Sequence, residues 1–444
     1  MENSAGILTK ITDFIENKVS PPLVRLSKMK YLESLQMTFM TLMPYMIIGA
    51  TATLINNLPG LFTSDGGFNL PQVADFLTKI ITPVQPILLQ LVFVTINILA
   101  LLVAILNGYN LGKINSQKVP KVTPLVTSVL SGVSLLCFID FAKLSENFDW
   151  PNYILGSPSL FAGIIISILS VELYTFLVKK DITIKMPNGV PPMIAAAFTS
   201  IVPVTLVVIV FAIFGQGFEN FDFLTIFNKL FSYLVVGGSS WVTQFFAFLL
   251  DRLLWFVGLH GSNIVSSVMS PIWTTQITDN IAAFSAHKDI PYMFTEQWIN
   301  NYVRVSLFPV ALLCTLSKVK RFNVLGKLSL PGTIFNIAEP VMYGLPVVLN
   351  PIMFVPWVIG FACTFLLNVG LAFLGLTPPM VAMTVWTMPA PLAAFIGSGF
   401  KVSSLIISLL NFVLIFFIFY PFFKVYEKQE LEKEKLMEAE QAVE

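Results

Sequence analysis

Charge is scarce in this sequence. Only 11% of its 444 residues are Asp, Glu, Lys or Arg, against about 25% in ordinary globular proteins. The length alone would suggest two or three soluble domains, but so little polar surface cannot cover them. Cysteine is nearly missing. Cys137, Cys314 and Cys363 are scattered through apolar runs with no C-x-x-C spacing, which excludes a disulfide framework and a thiolate metal site. Histidine occurs twice, at His260 and His287, so no second His or Cys stands at ligand spacing and no metal is expected. No motif calls for a cofactor. The net charge of +1 is too small to suggest a nucleic-acid partner.

What the chain has in excess is apolar. Hydrophobic residues make up 55% of it, with forty Phe, and mean hydropathy is +0.79. An all-α polytopic membrane protein is the reading that fits. The first thirty residues mix basic and acidic side chains around Pro21-Pro22, so they read as a cytoplasmic helix and not as a cleaved signal. Stretches approaching the ~20 residues that cross a bilayer follow near 35–55, 86–106, 123–139, 160–178 and 191–214. Others lie near 241–258, 302–317, 346–374 and 402–423. Nine or ten helices are expected, with the ambiguity concentrated after residue 230.

Loop charges orient these spans. The segments 107–122, 179–190 and 318–327 together carry ten Lys or Arg against the single Asp181. The alternating loops hold Asp65, Asp75 and Lys79, then Asp140, Lys143, Glu146 and Asp149, then Glu219, Asp222 and Lys229. By the positive-inside rule the first set is cytoplasmic, and both termini fall inside the cell. The tail 424–444 reads as a solvated helix or a disordered end.

Parity then singles out the pieces 331–345 and 380–398, which must enter and return, or both cross. Both are rich in Pro, Gly and Thr. Broken backbone at membrane depth survives only where protein or a watery cavity satisfies its polar groups, and it points to a transporter binding site. The segment 258–272, with its Gly, Ser and Asn, is expected to be interrupted for the same reason.

Ionisable residues at membrane depth are functional hypotheses by default. Glu172 sits near Lys179-Lys180 and reads as interfacial; Asp251 and Arg252 read as structural partners; Arg304 and Lys401 lie near segment ends, where snorkelling is available. His260 and Glu339 differ, since each stands in a Gly/Pro-flanked broken segment. The bland alternatives are a buried neutral His bonded to backbone, and a carboxylate satisfied by the N–H groups of its own hairpin. Trp255 lies five residues before His260, and Trp386 lies in the second Pro/Gly-rich piece. Their flat faces can stack on a pyranose, while the carboxylate, the imidazole and the Asn336 amide divide its hydroxyls as acceptors and donors. Trp is also a common interfacial anchor; placement inside broken segments is what raises these two.

The run Ile334-Phe-Asn-Ile-Ala-Glu339-Pro-Val-Met-Tyr-Gly-Leu-Pro-Val-Val-Leu-Asn-Pro351 resembles the signature of enzyme IIC, the membrane component of phosphoenolpyruvate-dependent sugar phosphotransferase systems. The likeness is to the lactose/cellobiose/N,N'-diacetylchitobiose branch. Ser170-Val-Glu-Leu-Tyr174, Met186-Pro-Asn-Gly-Val-Pro-Pro192, Trp255-Phe-Val-Gly-Leu-His260-Gly and Trp386-Thr-Met-Pro-Ala-Pro391 support it in order along the chain. The resemblance implies a homodimeric, elevator-type transporter of about ten spanning helices with two re-entrant hairpins. It implies that Glu339 and His260 hold the sugar hydroxyl that becomes phosphorylated, with Trp255 and Trp386 packing on the sugar. Phosphate would come from a phosphocysteine of a separate enzyme IIB, since no Cys here sits in a soluble phosphate-loop setting.

Departures exist. Ala338 stands where the family usually has Asn, and Ala196 and Ala197 follow Pro191-Pro192 where polar residues are common. The expected organisation is a cytoplasmic segment 1–34, a scaffold and dimerisation domain 35–235, a transport domain 236–423 and a charged cytoplasmic tail 424–444. The expected substrate is a β-linked disaccharide such as cellobiose, diacetylchitobiose or lactose. On the residues alone an ion- or proton-coupled secondary sugar transporter fits as well, as does a non-transporting sugar-sensing paralogue.

Overall fold

A computed structural model describes residues 29–63, 70–139, 155–156, 159–184, 192–216, 223–345, 347–348 and 350–441, with the single positions 18, 21 and 25. Among the described residues all regular structure is helical, and none is strand. Most of the N-terminal segment lies outside the described residues. So do Asp65, Asp140, Lys143, Glu146, Asp149, Lys185, Glu219 and Asp222 of the charge pattern. The chain divides into two compact units, one of Leu26–Gly238 with Ser266–Asp279, the other of Met1–Arg25, Ser239–Val265 and Asn280–Glu444.

The first unit contains α1 Lys30–Asn57, α2 Pro71–Ile81, α3 Gln85–Val92, α4 Leu99–Ser116, α5 Pro124–Leu136, α6 Leu160–Lys179, α7 Pro192–Gln216 and α8 Phe223–Gly238. Its core lies where α4, α5 and α6 meet, around Ala100, Ala104, Leu130, Ala162 and Ile166. Small residues let these backbones approach, as membrane helices require. A Cβ on Gly112 would run into Thr127, and one on Gly163 would come within 2.8 Å of the Ala100 carbonyl. Several polar groups inside the unit are paired across helices. The Asn107 amide donates to Ser167 Oγ at 2.7 Å, and Ser131 and Ser170 lie 3.1 Å apart. Glu172 accepts from Lys30 Nζ at 2.7 Å and from Asn115 Nδ2 at 3.0 Å, so it joins three helices in the structural role expected of it.

The second unit contains α9 Trp241–Phe256, α10 Gly261–Ser285 (less its middle, 266–279), α11 Glu296–Trp298, α12 Phe308–Thr315 and α13 Lys320–Ile334. It continues with α14 Glu339–Gly344, α15 Pro351–Phe354, α16 Phe361–Phe373, α17 Ala390–Gly397 and α18 Val402–Gln441. Its interior is aromatic, with Phe248, Trp298, Phe361 and Phe365 in edge and stacked contact. Ser404 and Asn411 on α18 bind Tyr302, at its hydroxyl (2.8 Å) and its carbonyl (2.7 Å).

Among the described residues six helical runs are long and apolar enough to cross a membrane: Lys30–Gly60, Pro71–Asn97, Leu160–Lys179, Ala197–Gln216, Pro351–Phe373 and Val402–Leu436. Several expectations change in detail. The expected span 86–106 is divided by a π-turn over Phe93–Asn97 and by Ile98, which leaves helical geometry at ψ 22°. There Thr95 Oγ1 donates to the Leu91 carbonyl at 2.6 Å, a bond that competes with the helical ladder. The stretch 302–317 holds only the eight-residue α12, because a π-turn over Ile299–Val303 precedes it and Pro309 restarts the helix. Residues 261–272 are continuous helix, so the interruption expected over 258–272 is confined to the turn before Gly261. The tail is helical to Gln441 and is not simply solvated. Glu427 is buried and accepts from Ser317 Oγ at 2.6 Å and from the Lys318 amide at 2.8 Å.

Candidate functional site

Three breaks in the second unit carry the residues singled out from sequence. The first separates α9 from α10. Gly258 sits at φ +82°, a left-handed conformation that costs a side-chain-bearing residue about 1–2 kcal/mol. The turn it permits closes with the Gly258 amide donating to the Trp255 carbonyl and the Leu259 amide to the Leu254 carbonyl. His260 then caps α10, its Nδ1 accepting from the Asn263 amide at 3.3 Å. With Nδ1 an acceptor, a neutral imidazole carries its proton on Nε2 and is a donor there. The ring is exposed, not buried. It lies 4.4 Å from the Trp255 ring, centroid to centroid, at 47°.

The second break follows α13. Asn336 has φ +61°, a conformation that Asn tolerates better than most residues. Its Nδ2 donates to the carbonyls of Trp386 at 2.7 Å and Met388 at 2.9 Å. Its Oδ1 is buried without a hydrogen-bond partner in the protein, which leaves an acceptor in reserve. Three residues on, Glu339 begins α14; its side chain lies outside the described residues.

The third break runs from the end of α16 to α17. Here the backbone is held by side chains. Asn280 Nδ2 donates to the Met380 carbonyl at 2.8 Å, and Gln297 Oε1 accepts from Thr384 Oγ1 at 3.0 Å. The Val381 amide donates to the Gly397 carbonyl at 2.7 Å. On this braced strip Trp386 is 56% exposed, which leaves its ring face free to pack on a partner.

The predicted residues thus meet as two pairs, Trp255 with His260 and Asn336 with the Trp386 backbone. Sequence reasoning missed what stands behind the first pair. Asp251 is fully buried. Its Oδ2 accepts from Arg252 Nε at 3.0 Å, from Arg252 Nη2 at 2.7 Å and from Arg304 Nη2 at 3.0 Å. Arg304 therefore does not snorkel as expected: a buried carboxylate fifty-three residues away holds it. The Arg252 guanidinium lies 4.4 Å from the Trp357 ring centroid, and the Trp357 indole N–H donates to the Arg252 carbonyl at 2.9 Å. The adjacent Asp251-Arg252 pair was visible in sequence; the third charge was not. Among the described residues no group of three His, Cys, Asp or Glu could hold a metal ion.

The groups on this braced backbone are an exposed aromatic ring at Trp386, an exposed imidazole at His260 and a spare acceptor at Asn336 Oδ1. The family model "Phosphotransferase system, EIIC" matches residues 36–360. The oligo-beta-mannoside-specific EIIC component of Bacillus subtilis is 32% identical over 94% of each chain. The lichenan permease IIC component of the same organism is 30% identical over 97% of each. The solved structure of the transporter ChbC, the IIC component from the N,N'-diacetylchitobiose-specific phosphotransferase system, superposes with a TM-score of 0.84. It is 31% identical, and the match covers 95% of this chain and 99% of that one. The chain belongs to the EIIC family of the phosphotransferase system.

Proposed function

We propose that this sugar permease takes a β-linked disaccharide of the cellobiose, diacetylchitobiose or lactose kind and moves it inward. It then presents the sugar to the phosphocysteine of a separate enzyme IIB. The relatives named for oligo-β-mannosides, lichenan and N,N'-diacetylchitobiose all concern β-linked sugars. The observation that carries the reading is the tie from Asn336 to the carbonyls of Trp386 and Met388. It binds the break before α14, the helix that begins at Glu339, to the Trp386 segment, which supports a site built from both.

In the proposed chemistry, the target hydroxyl oxygen attacks the phosphorus of the phosphocysteine. Glu339 takes the hydroxyl proton as the P–O bond forms and the P–S bond breaks, and the thiolate of enzyme IIB leaves. His260 donates from Nε2 to a sugar oxygen and fixes its orientation, while Trp255 and Trp386 stack on the C–H faces. The proposal includes a homodimer of protomers with about ten spanning helices and two re-entrant pieces over 331–345 and 380–398. Residues 236–423 would move as an elevator against a scaffold of 35–235. Both termini face the cytoplasm. The ion pair Lys121–Asp181 supports a shared side for the loops 107–122 and 179–190, as the charge pattern assigns them.

Glu339→Gln keeps size and neutralises the base. It is expected to abolish sugar phosphorylation by phosphorylated enzyme IIB, a loss of about 10²-fold or more, while folding and dimerisation persist. Phosphorylation at the unmodified rate would refute the assignment. Uptake driven by a proton gradient without enzyme IIB would point to a secondary transporter instead.

A further inference from the structure

Ser262 is not among the residues that the proposed function places on the sugar, yet it stands between two that matter. Its hydroxyl donates to Asp251 Oδ1 at 2.8 Å, and its oxygen lies 3.2 Å from Trp255 Nε1, whose N–H it accepts. The direction of this relay is fixed from behind. Asp251 Oδ2 is taken by Arg252 and Arg304, which leaves Oδ1 for Ser262 and holds the carboxylate plane against rotation. Arg252 is itself clamped by Trp357, through the ring and through the bond from the indole to its carbonyl. The glycine before Ser262 makes the approach possible. A Cβ on Gly261 would collide with the Asp251 carbonyl and crowd its Oδ1, so only Gly lets the start of α10 sit against α9 closely enough for this bond.

An indole held only by packing can rotate or slide. One whose N–H is fixed by a hydroxyl, itself fixed by a buried carboxylate, presents a single face. Trp255 is largely buried, so its N–H needs a partner, and Ser262 supplies it. The same ring meets His260. We propose that Ser262, locked by the Asp251–Arg252–Arg304 cluster, is a positioning residue that sets the orientation of Trp255 and, through ring contact, of His260. That Trp255 is a sugar platform rests on the proposed function; that Ser262 fixes its ring does not.

The test separates the two. The full chain in detergent is labelled with 5-fluorotryptophan, and the Trp255 ¹⁹F resonance is assigned by its loss in Trp255→Phe. In Ser262→Ala the Trp255 line shifts and broadens while the other six of the seven tryptophan lines stay in place. Ser262→Thr, which keeps the hydroxyl, leaves the Trp255 line near its original position. Ser262→Cys offers a weaker acceptor of similar size and gives an intermediate shift, and it reports even if the Ala variant does not fold. An unmoved Trp255 line in Ala and Cys variants overturns the inference. Calorimetric titration with cellobiose, N,N'-diacetylchitobiose and lactose as probes then reads the consequence. Ser262→Ala weakens whichever sugar binds by about fivefold, the worth of roughly one hydrogen bond, and Ser262→Thr restores it. Undiminished binding in Trp255→Ala would remove Trp255 from the sugar site and leave the positioning of its ring to the ¹⁹F result.

Discussion

The two units keep polar groups inside an apolar fold by different means. In the first, neutral Ser and Asn side chains bridge long helices, as Asn107 does with Ser167 and Ser128 does with the Ile105 carbonyl. Where their caps are described, its helices begin without a side-chain cap. In the second, Ser240, His260, Thr295 and Asn350 each cap a helix with a side chain. Full charges also lie inside it, as at Asp251 and Arg252. Long helices satisfy their own backbone and need only small residues to pack. Repeatedly broken backbone leaves amides and carbonyls that side chains must take up. The second unit therefore carries buried full charges at a greater desolvation cost, and the candidate ligand-facing groups are found there.

The comparison predicts unequal sensitivity. Asp251→Asn leaves two guanidinium groups facing a neutral amide and should cost about 3–5 kcal/mol. Asn107→Ala removes a neutral bridge and should cost about 1–3 kcal/mol. Thermal unfolding in one detergent measures both, and equal losses would erase the distinction between charged and neutral solutions. At the braced breaks the effect moves from stability to binding. Trp386→Ala removes an exposed ring, so unfolding should shift by about 0.5 kcal/mol or less, while sugar affinity falls roughly tenfold. Asn336→Ala frees the carbonyls of Trp386 and Met388 and should weaken binding by a smaller factor, roughly threefold to fivefold. Unchanged affinity in both would return this strip to packing.

Much of this was legible in the sequence, and the reasons differ by residue. The span 160–178 appears as Leu160–Lys179 and the long stretch 346–374 contains the run Pro351–Phe373, because uninterrupted apolar length is a local property. The breaks near Gly258 and Asn336 were legible from Gly, Pro and Asn, which tolerate positive φ or end helices. The π-turn at Phe93–Asn97 was not, since no Gly or Pro marks it. Nor was the partner of Arg304. A contact across fifty-three residues leaves no periodic trace, and a lone Arg near a segment end looks the same whether it reaches lipid headgroups or a buried acid. The chemistry of Asn336 suits a sugar ligand, yet both its donor bonds go to backbone carbonyls. Composition tells what an amide can bind, and only folding decides which partner reaches it first.

The ion pairs sharpen the contrast by running down a gradient of exposure. Asp251 is fully buried, Glu172 is 31% exposed beside Lys30, and Asp181 is 57% exposed beside Lys121. If burial, and not the mere presence of opposite charges, sets the worth of each pair, the ranking of losses must follow that order. Lys30→Met should cost about 1 kcal/mol or less, part of it through the unpaired Glu172. Lys121→Met should change unfolding by no more than a few tenths of a kcal/mol, and 0.5 M salt should abolish even that, since water and ions reach both partners. A salt-insensitive loss of about 1 kcal/mol at Lys121 would mean that this pair is sheltered in the assembled protein. Exposure within a single chain would then no longer rank the charges of the first unit against those of the second.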